Sequence, residues 1–340
     1  MKNNRLFELD ALRGVAALSV LLYHYTTKYD YFFHPLQPMA FQFLAGACGV
    51  GLFFMISGFV IFMTLENTKR PMDFIVSRFS RLFPAYWAAI FITFFCLHFF
   101  PLNNYIPQAS KFEAAINLTM LQDWFKVTEV DGVYWTLTIE LTFYFLVFTV
   151  FICRGLKYIE LLGCTWLILM VLNSMFPGHA PYLIQVSQLL TYGHLFFVGI
   201  LFYNIKFKGG VWHRHLLVAS CVGVQYFMAR EMPIVKDTVL IMLVFLIVFY
   251  LFIFGRLTLL VQKPMIFLGS ISYSLYLTHQ YIGYVIINHL VRWGLNPWVC
   301  LIIPTIFALS LASCITYLIE KPAMSFIRQV YKKKLFLFRS

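Results

Sequence analysis

Two ionisable residues interrupt the first apolar run, LDALRGVAALSVLLYHY: Arg13 and His24. They are eleven residues apart. On an α-helix that is three turns plus about 20°, so both side chains share a face, about 16 Å apart along the axis. Imidazole titrates near neutral pH, which suits it to general-base or nucleophilic work. Arg13 equally suits a pair with Asp10 one turn away or a side chain snorkelling to the surface. A carboxylate follows in WTLTIELTFYFL, where Glu140 lies about 7.5 Å into a helix that starts at Trp135. Buried at that depth it needs a partner or a proton, and an arginine is the ordinary structural partner. A second histidine, His279, stands in SISYSLYLTHQ, where a hydrogen bond between helices is the plain alternative to chemistry.

Arg78 and Arg81, in VSRFSRLFPAYW, are three residues apart and therefore neighbours on one helix face. Guanidinium forks match phosphate oxygens, although two arginines beside an apolar span also serve as anchors at a membrane surface. Glu320-Lys321-Pro322 reads as a helix stop with a local ion pair. Ser57 and Gly58, in GVGLFFMISGF, are small residues suited to close helix packing, and Trp135 suits an interfacial aromatic belt.

The elements that must position these groups follow from composition. Hydrophobic residues make up 61% of the 340 and charged residues only 12%, with a mean hydropathy of +0.78. Soluble domains carry about 25% charged residues. Residues 82–110 and 238–255 contain no Asp, Glu, Lys or Arg. Unbroken apolar runs favour helices over a barrel, whose strands alternate. The fold expected is an all-α integral membrane bundle of about ten helices, near residues 8–27, 41–66, 82–102, 135–153, 158–176, 184–204, 214–229, 237–255, 267–290 and 297–319.

Nineteen of the 26 Lys and Arg then fall on the side of the N-terminus and six on the other, Arg13 excepted. The excess predicts that both ends are cytoplasmic. It also accounts for the net charge of +12 without nucleic acid as a partner. The seven cysteines are scattered, without metal spacing, and read as buried small hydrophobes. Residues 103–134 form the longest outer segment. It holds Glu113, Asp123, Glu129 and Asp131, a short interfacial helix FEAAINLTMLQDWF, and a glycosylation-type triplet at Asn117-Leu118-Thr119. No internal repeat and no linker appears. One membrane domain over 1–325 and a basic cytoplasmic tail over 326–340 are expected.

The ordered set Leu9-Asp10-Ala11-Leu12-Arg13-Gly14, His24, FFMISGF at 53–59, RFSRLFP at 78–84, NLTMLQ at 117–122, WTLTIE at 135–140, YLTH at 276–279 and Glu320-Lys321-Pro322 resembles the membrane acyltransferase family 3. The resemblance covers nearly the whole chain. It implies ten membrane helices and O-acylation, usually O-acetylation, of cell-surface sugars such as O-antigen and exopolysaccharide from the bacterial inner membrane. The donor implied is cytoplasmic acetyl-CoA. No bound cofactor or metal is implied. Some members carry a fused extracytoplasmic esterase-like domain, and this chain resembles the form without one.

Under that resemblance Arg78, Arg81 and Arg13 hold the coenzyme A phosphates. His24 serves as general base or carries the acyl group, and Glu140 orients His24. Trp135 borders the sugar site, and Ser57, Tyr276, His279 and Glu320 are acceptor-side or supporting candidates. The other partners implied are a sugar or lipid-linked glycan and membrane lipids. A transporter or flippase using Arg13, Glu140 and His279 as a path is the competing reading, against which no inverted repeat is found.

Overall fold

The computed structural model describes residues 6–102, 106–176, 178–179, 181, 185, 188–229 and 235–337. Outside them lie Lys2, Arg5, Arg230 and Arg339 of the charge count, Pro177 and Pro233, the Asn103 start of the long segment, the start of the expected helix at 184 and the last three residues of the tail. The described residues contain helices and no strand. Six of the helices are long and apolar enough to cross a membrane: Leu44–Glu66, Pro71–Phe99, Trp135–Ile152, Leu156–Met175, Leu189–Lys208 and Pro297–Leu335. The other four expected spans are also helical. They are shorter, more polar or interrupted.

The chain divides into two compact units. The first comprises residues 1–16, 48–67 and 136–266. The second comprises residues 17–47, 68–135 and 267–340. Helix α1 (Phe7–Tyr23) begins in the first unit, passes to the second after Ala16, and runs into a π-helical segment, His24–Lys28, and a last α turn, Tyr29–Phe33. The α-helical register behind the shared-face expectation for Arg13 and His24 is therefore unbroken to Tyr23.

In the first unit α2 (Gly49–Glu66) and, after α3 (Pro71–Phe99), α4 (Lys111–Asn117), α5 (Trp135–Ile152) and α6 (Ile159–Met175), helix α7 (Leu189–Lys208) form the tightest pair. A Cβ at Gly58 would overlap the Phe196 carbonyl, and one at Gly199 would overlap the Met55 carbonyl. Each helix thus offers a bare backbone to the other's carbonyl ridge, the close approach that small residues permit in membranes. Around α7 pack α6, α8 (Trp212–Ala229) and α9 (Val235–Ile253). The α6–α8 seam carries Glu160, bonded to Arg214 Nε at 2.7 Å, His213 Nε2 at 3.1 Å and Asn204 Nδ2 at 2.8 Å.

The second unit holds α3, α10 (Lys263–Thr278), α11 (Gln280–Arg292) and α12 (Pro297–Cys314). Helix α12 continues through a π-helical segment, Ile315–Glu320, into α13 (Lys321–Leu337). Two boundaries differ from the sequence reading. Helix α3 starts at Pro71 rather than near 82, so Arg78 and Arg81, neighbours on one helix face as expected, lie inside the helix rather than just before its start. Pro84 lies inside α3 and lacks the N–H for one rung. Glu320-Lys321-Pro322 also ends nothing. Pro322 is the second residue of α13, where a missing N–H costs little, and the helix runs on through the expected tail.

Helix α3 shows one face to its surroundings, with Phe91 55%, Phe95 54% and Phe99 70% exposed at four-residue spacing. Water would not tolerate such a stripe, and lipid would. The interfacial helix is shorter than expected, ending at Asn117 and capped by the Ser110–Glu113 capping box. Asn117 is buried and bonds Glu113 O, Thr128 O and Val130 N, so its triplet is no accessible acceptor. The cysteines are all free. Cys221 and Cys300 are buried, whereas Cys153 and Cys314 are exposed, against the uniform burial expected.

Replacing Gly199 by Leu should separate α7 from α2 and lower the melting temperature of the detergent-solubilised protein by several degrees, as overpacking of about 1–3 kcal/mol implies. Gly223, whose surroundings are open, should tolerate leucine.

Candidate active site

The second unit places His24 against His279. His279 Nε2 lies 2.9 Å from His24 Nδ1, with ring centroids 5.0 Å apart and planes tilted 54°. What brings His279 there is a break in a helix. The expected span over 267–290 is interrupted at His279, between α10 and α11. Leu275 O and His279 O keep their helical partners, the His279 and Gly283 amides, and the other groups at the break must be paired by side chains. His279 Nδ1 meets Leu275 O at 3.1 Å and Tyr276 O at 2.9 Å. Tyr134 Oη donates to Leu277 O at 3.3 Å and Tyr25 Oη to His279 O at 2.7 Å. The Tyr281 amide donates to Asp131 Oδ2 at 3.2 Å. Tyr25 reaches its carbonyl by lying against Gly283, where a Cβ would overlap its ring.

These contacts fix a tautomer. Two carbonyls face His279 Nδ1, and carbonyls only accept, so Nδ1 carries the proton. In the neutral ring Nε2 then holds a lone pair. His24 Nδ1 must donate to it, which leaves the lone pair of His24 on Nε2. A histidine thereby stands where a carboxylate stands in a hydrolytic triad, holding one ring nitrogen so that the other can take a proton. The sequence reading expects Glu140 to orient His24; the residue bonded to His24 Nδ1 within the second unit is His279.

The remaining candidates fall into two groups. In the second unit Arg81 forms an ion pair with Glu320, which is fully buried, and its guanidinium lies 5.8 Å from the Tyr273 ring. Ser274 Oγ donates to the other Glu320 oxygen at 3.1 Å, and Thr316 Oγ1 donates to Ser274 at 2.9 Å. Glu320 therefore ties α12 to α3 and α10, and its partner is Arg81, not neighbouring Lys321, whose Nζ sits over Tyr317. Arg78 Nη2 donates to Ser77 Oγ at 3.2 Å. Tyr276 lies 5.8 Å from the His279 ring and donates to Val133 O at 3.3 Å. Trp135 opens α5 and is half-buried.

In the first unit Glu140 Oε1 accepts from Ser57 Oγ and Tyr144 Oη, both at 2.5 Å. The expected arginine partner is replaced by two hydroxyls. Arg13 lies 3.8 Å from Asp10, the loose i,i+3 pair.

Sequence reasoning missed Tyr25, Tyr134 and Tyr144, because a tyrosine in an apolar helix has no signature until its partner is known. It noted Asp131 only as a loop acid. Asp131 is buried and receives the Tyr281 and Val133 amides, yet burial dominates and pushes its carboxyl up to about 8. Burial, with repulsion from Asp123, pushes Glu129 up as well.

Glu320 and Asp131 can each be tested by denaturation. Glu320→Ala leaves Arg81 facing a buried void and should cost about 3 kcal/mol, while the double change Glu320→Leu with Arg81→Met should recover most of that in thermal denaturation. Asp131 holds its proton to about pH 8 when folded but only to about pH 4 when unfolded. Its contribution is therefore present below pH 4 and lost as pH rises through 8. Asp131→Asn should flatten the fall in stability across that window by up to about 1.4 kcal/mol per pH unit, read from denaturation at pH 5 and 8.

The family model described as "Acyltransferase domain" matches residues 6–319. Nodulation protein 10 of Rhizobium leguminosarum bv. viciae is 30% identical over 152 residues, 40% of this chain and 41% of that protein. The exopolysaccharide production protein ExoZ of Rhizobium meliloti is 38% identical over 58 residues, 17% of this chain and 18% of its own. The chain thus spans less than half the length of either relative. The putative acetyltransferase ORF330 of Acidianus two-tailed virus is 23% identical over 283 residues, covering 79% of this chain and 80% of that one. No solved structure matches. With the family model covering residues 6–319, this multi-pass membrane chain belongs to the acyltransferase domain family.

Proposed function

We propose that the chain is an O-acyltransferase of the bacterial cytoplasmic membrane, crossing it ten times with both ends cytoplasmic. It moves an acyl group, most simply acetyl, from cytoplasmic acyl-CoA to a hydroxyl of a cell-surface or lipid-linked sugar on the far side. The family match and the names of its relatives, one an acetyltransferase and one an exopolysaccharide production protein, support this reading. The observation that carries it is the His24–His279 pair.

The tautomer leaves His24 Nε2 as the basic atom. In the direct route it removes the proton of the acceptor hydroxyl as that oxygen attacks the thioester carbonyl. A C–O bond forms, the C–S bond breaks, and the departing thiolate takes the proton back from the imidazolium. While the imidazolium exists, its Nδ1–H stays bonded to His279 Nε2, so the positive charge forms next to a waiting acceptor. The same lone pair serves a route through an acyl-imidazole on His24. General-base assistance of this kind contributes about 10²–10⁴ in rate.

His24→Ala should abolish acyl transfer at matched membrane levels, measured as acetyl signals in surface polysaccharide by proton NMR. His279→Leu removes the acceptor for Nδ1–H and should lower the rate about 100-fold or more. His279→Gln keeps an oxygen acceptor and should recover part of it without changing the KM for the donor. Full acetylation in His24→Ala would refute the assignment. Unchanged acetylation with altered amounts of surface polymer would point to transport instead.

A further inference from the structure

The segment before α5 is drawn against the break at His279 on both sides of Gly132. Asp131 Oδ2 accepts from the Tyr281 amide at 3.2 Å, and Val133 O accepts from Tyr276 Oη at 3.3 Å. Gly132 lies between these two ties and is half-exposed, in the segment expected on the outer side. A Cβ there would stand 2.8 Å from Tyr281 Oη and 3.0 Å from Gln280 Oε1. Both are tighter than ordinary contacts. A glycine thus keeps open a niche on which two polar atoms converge.

Gln280 follows His279 in the chain and is only 4% exposed, yet its Oε1 bonds nothing among the described residues. Its Nε2 donates to Tyr284 Oη one turn on, at 3.4 Å. Turning the amide over would only exchange a bare oxygen for a bare N–H. Tyr281 is also buried. Its amide goes to Asp131, and its hydroxyl has no hydrogen bond among the described residues. A buried amide oxygen left unpaired is costly, so a donor brought by a ligand would be gained there rather than merely exchanged for water.

The two atoms define what suits them. The amide oxygen only accepts, and a tyrosine hydroxyl can donate. A carboxylate or phosphate would bring no proton to the amide oxygen, and an ammonium could not accept from the tyrosine. A hydroxyl does both. A water does both as well, but would find only these two partners, the lower end of what holds an ordered water. The niche also begins one residue from the imidazole bonded to His24, and Trp135, expected beside the sugar, opens α5 three residues beyond Gly132.

We propose that Gln280 and Tyr281, over the bare backbone of Gly132, bind one hydroxyl of the acceptor sugar that is not itself acylated. The sugar hydroxyl donates to Gln280 Oε1 and accepts from Tyr281 Oη. This rests on the acyltransferase reading and adds to it a site that selects the acceptor.

The test uses the full-length protein in nanodiscs, acetyl-CoA, and the methyl glycosides of glucose, galactose and mannose, each beside its monodeoxy analogues. Acetyl transfer is read by mass spectrometry as kcat and KM for each acceptor. For the best of them, removing one non-acylated hydroxyl should lower kcat/KM of the wild type about tenfold to a hundredfold, because the analogue leaves buried partners unpaired. Gln280→Leu has no acceptor to leave unpaired and should bring the parent and that deoxy glycoside within about threefold of each other. Gln280→Glu keeps an accepting oxygen and should keep a preference for the parent. Gly132→Ala puts a methyl group into the niche and should raise the KM of the parent more than that of the deoxy glycoside. Should Gln280→Leu not fold, the glutamate and alanine variants carry the test by the same comparison.

A preference for the parent as large in Gln280→Leu as in wild type would overturn the proposal and leave the acyltransferase reading standing. So would a wild type indifferent to every non-acylated hydroxyl. An equal fall on the parent and on every deoxy glycoside would assign the niche to a structural water and overturn it too. If the wild type transfers acetyl to none of these glycosides, the proposal falls, whereas the acyltransferase reading falls only if His24→Ala leaves surface acetylation intact.

Discussion

A backbone that breaks inside an apolar bundle must find a partner for each polar group it releases, and the interruption at His279 organises the second unit around that demand. The carbonyls of Leu275 and His279 keep the amides of His279 and Gly283, but water is not at hand to take the carbonyls of Tyr276 and Leu277 or the amide of Tyr281. The imidazole of His279, the hydroxyl of Tyr134 and the carboxyl of Asp131 take them instead, and Tyr25 adds a second donor to His279 O. These side chains come from three stretches of sequence, so the break ties together the π-helical segment after α1, the segment before α5, and α10 with α11. The same contacts decide which nitrogen of His279 holds a proton, and through it which nitrogen of His24 does not. Fold and chemistry here rest on one set of hydrogen bonds.

The charged groups elsewhere obey the same constraint by different means. Glu140 is held by two hydroxyls, Glu320 by Arg81 and a serine, and Glu160 by Arg214, His213 and Asn204. Both π-helical segments carry a candidate residue, His24 in one and Glu320 in the other. A π turn inserts a residue and shifts the register of the helix beyond it, and such turns are frequent at functional sites.

The class of fold was legible because apolar run length and charge depletion leave few alternatives. The odd residues were legible too, since an ionisable group in an apolar span stands out by cost alone. Their pairing was not. His24 and His279 are 255 residues apart, Arg81 and Glu320 239, and no spacing rule reaches so far. Helix ends were misjudged at the start of α3, placed near 82, and at Glu320-Lys321-Pro322, taken as a stop. Pro84 lies inside α3, and Pro322 lies in the first turn of α13, where its missing N–H does little harm.

The account stands most directly on the protonation of two rings. Nitrogen-15 NMR of the histidine-labelled protein in nanodiscs, with His24 and His279 assigned by single substitution, reads the tautomer of each. The account predicts that at neutral pH both rings carry their proton on Nδ1 and that His24 Nε2 shows the shift of an unprotonated nitrogen. A proton on His24 Nε2, with Nδ1 bare, would mean that His279 donates rather than accepts, and His24 would have no free base to offer an incoming hydroxyl.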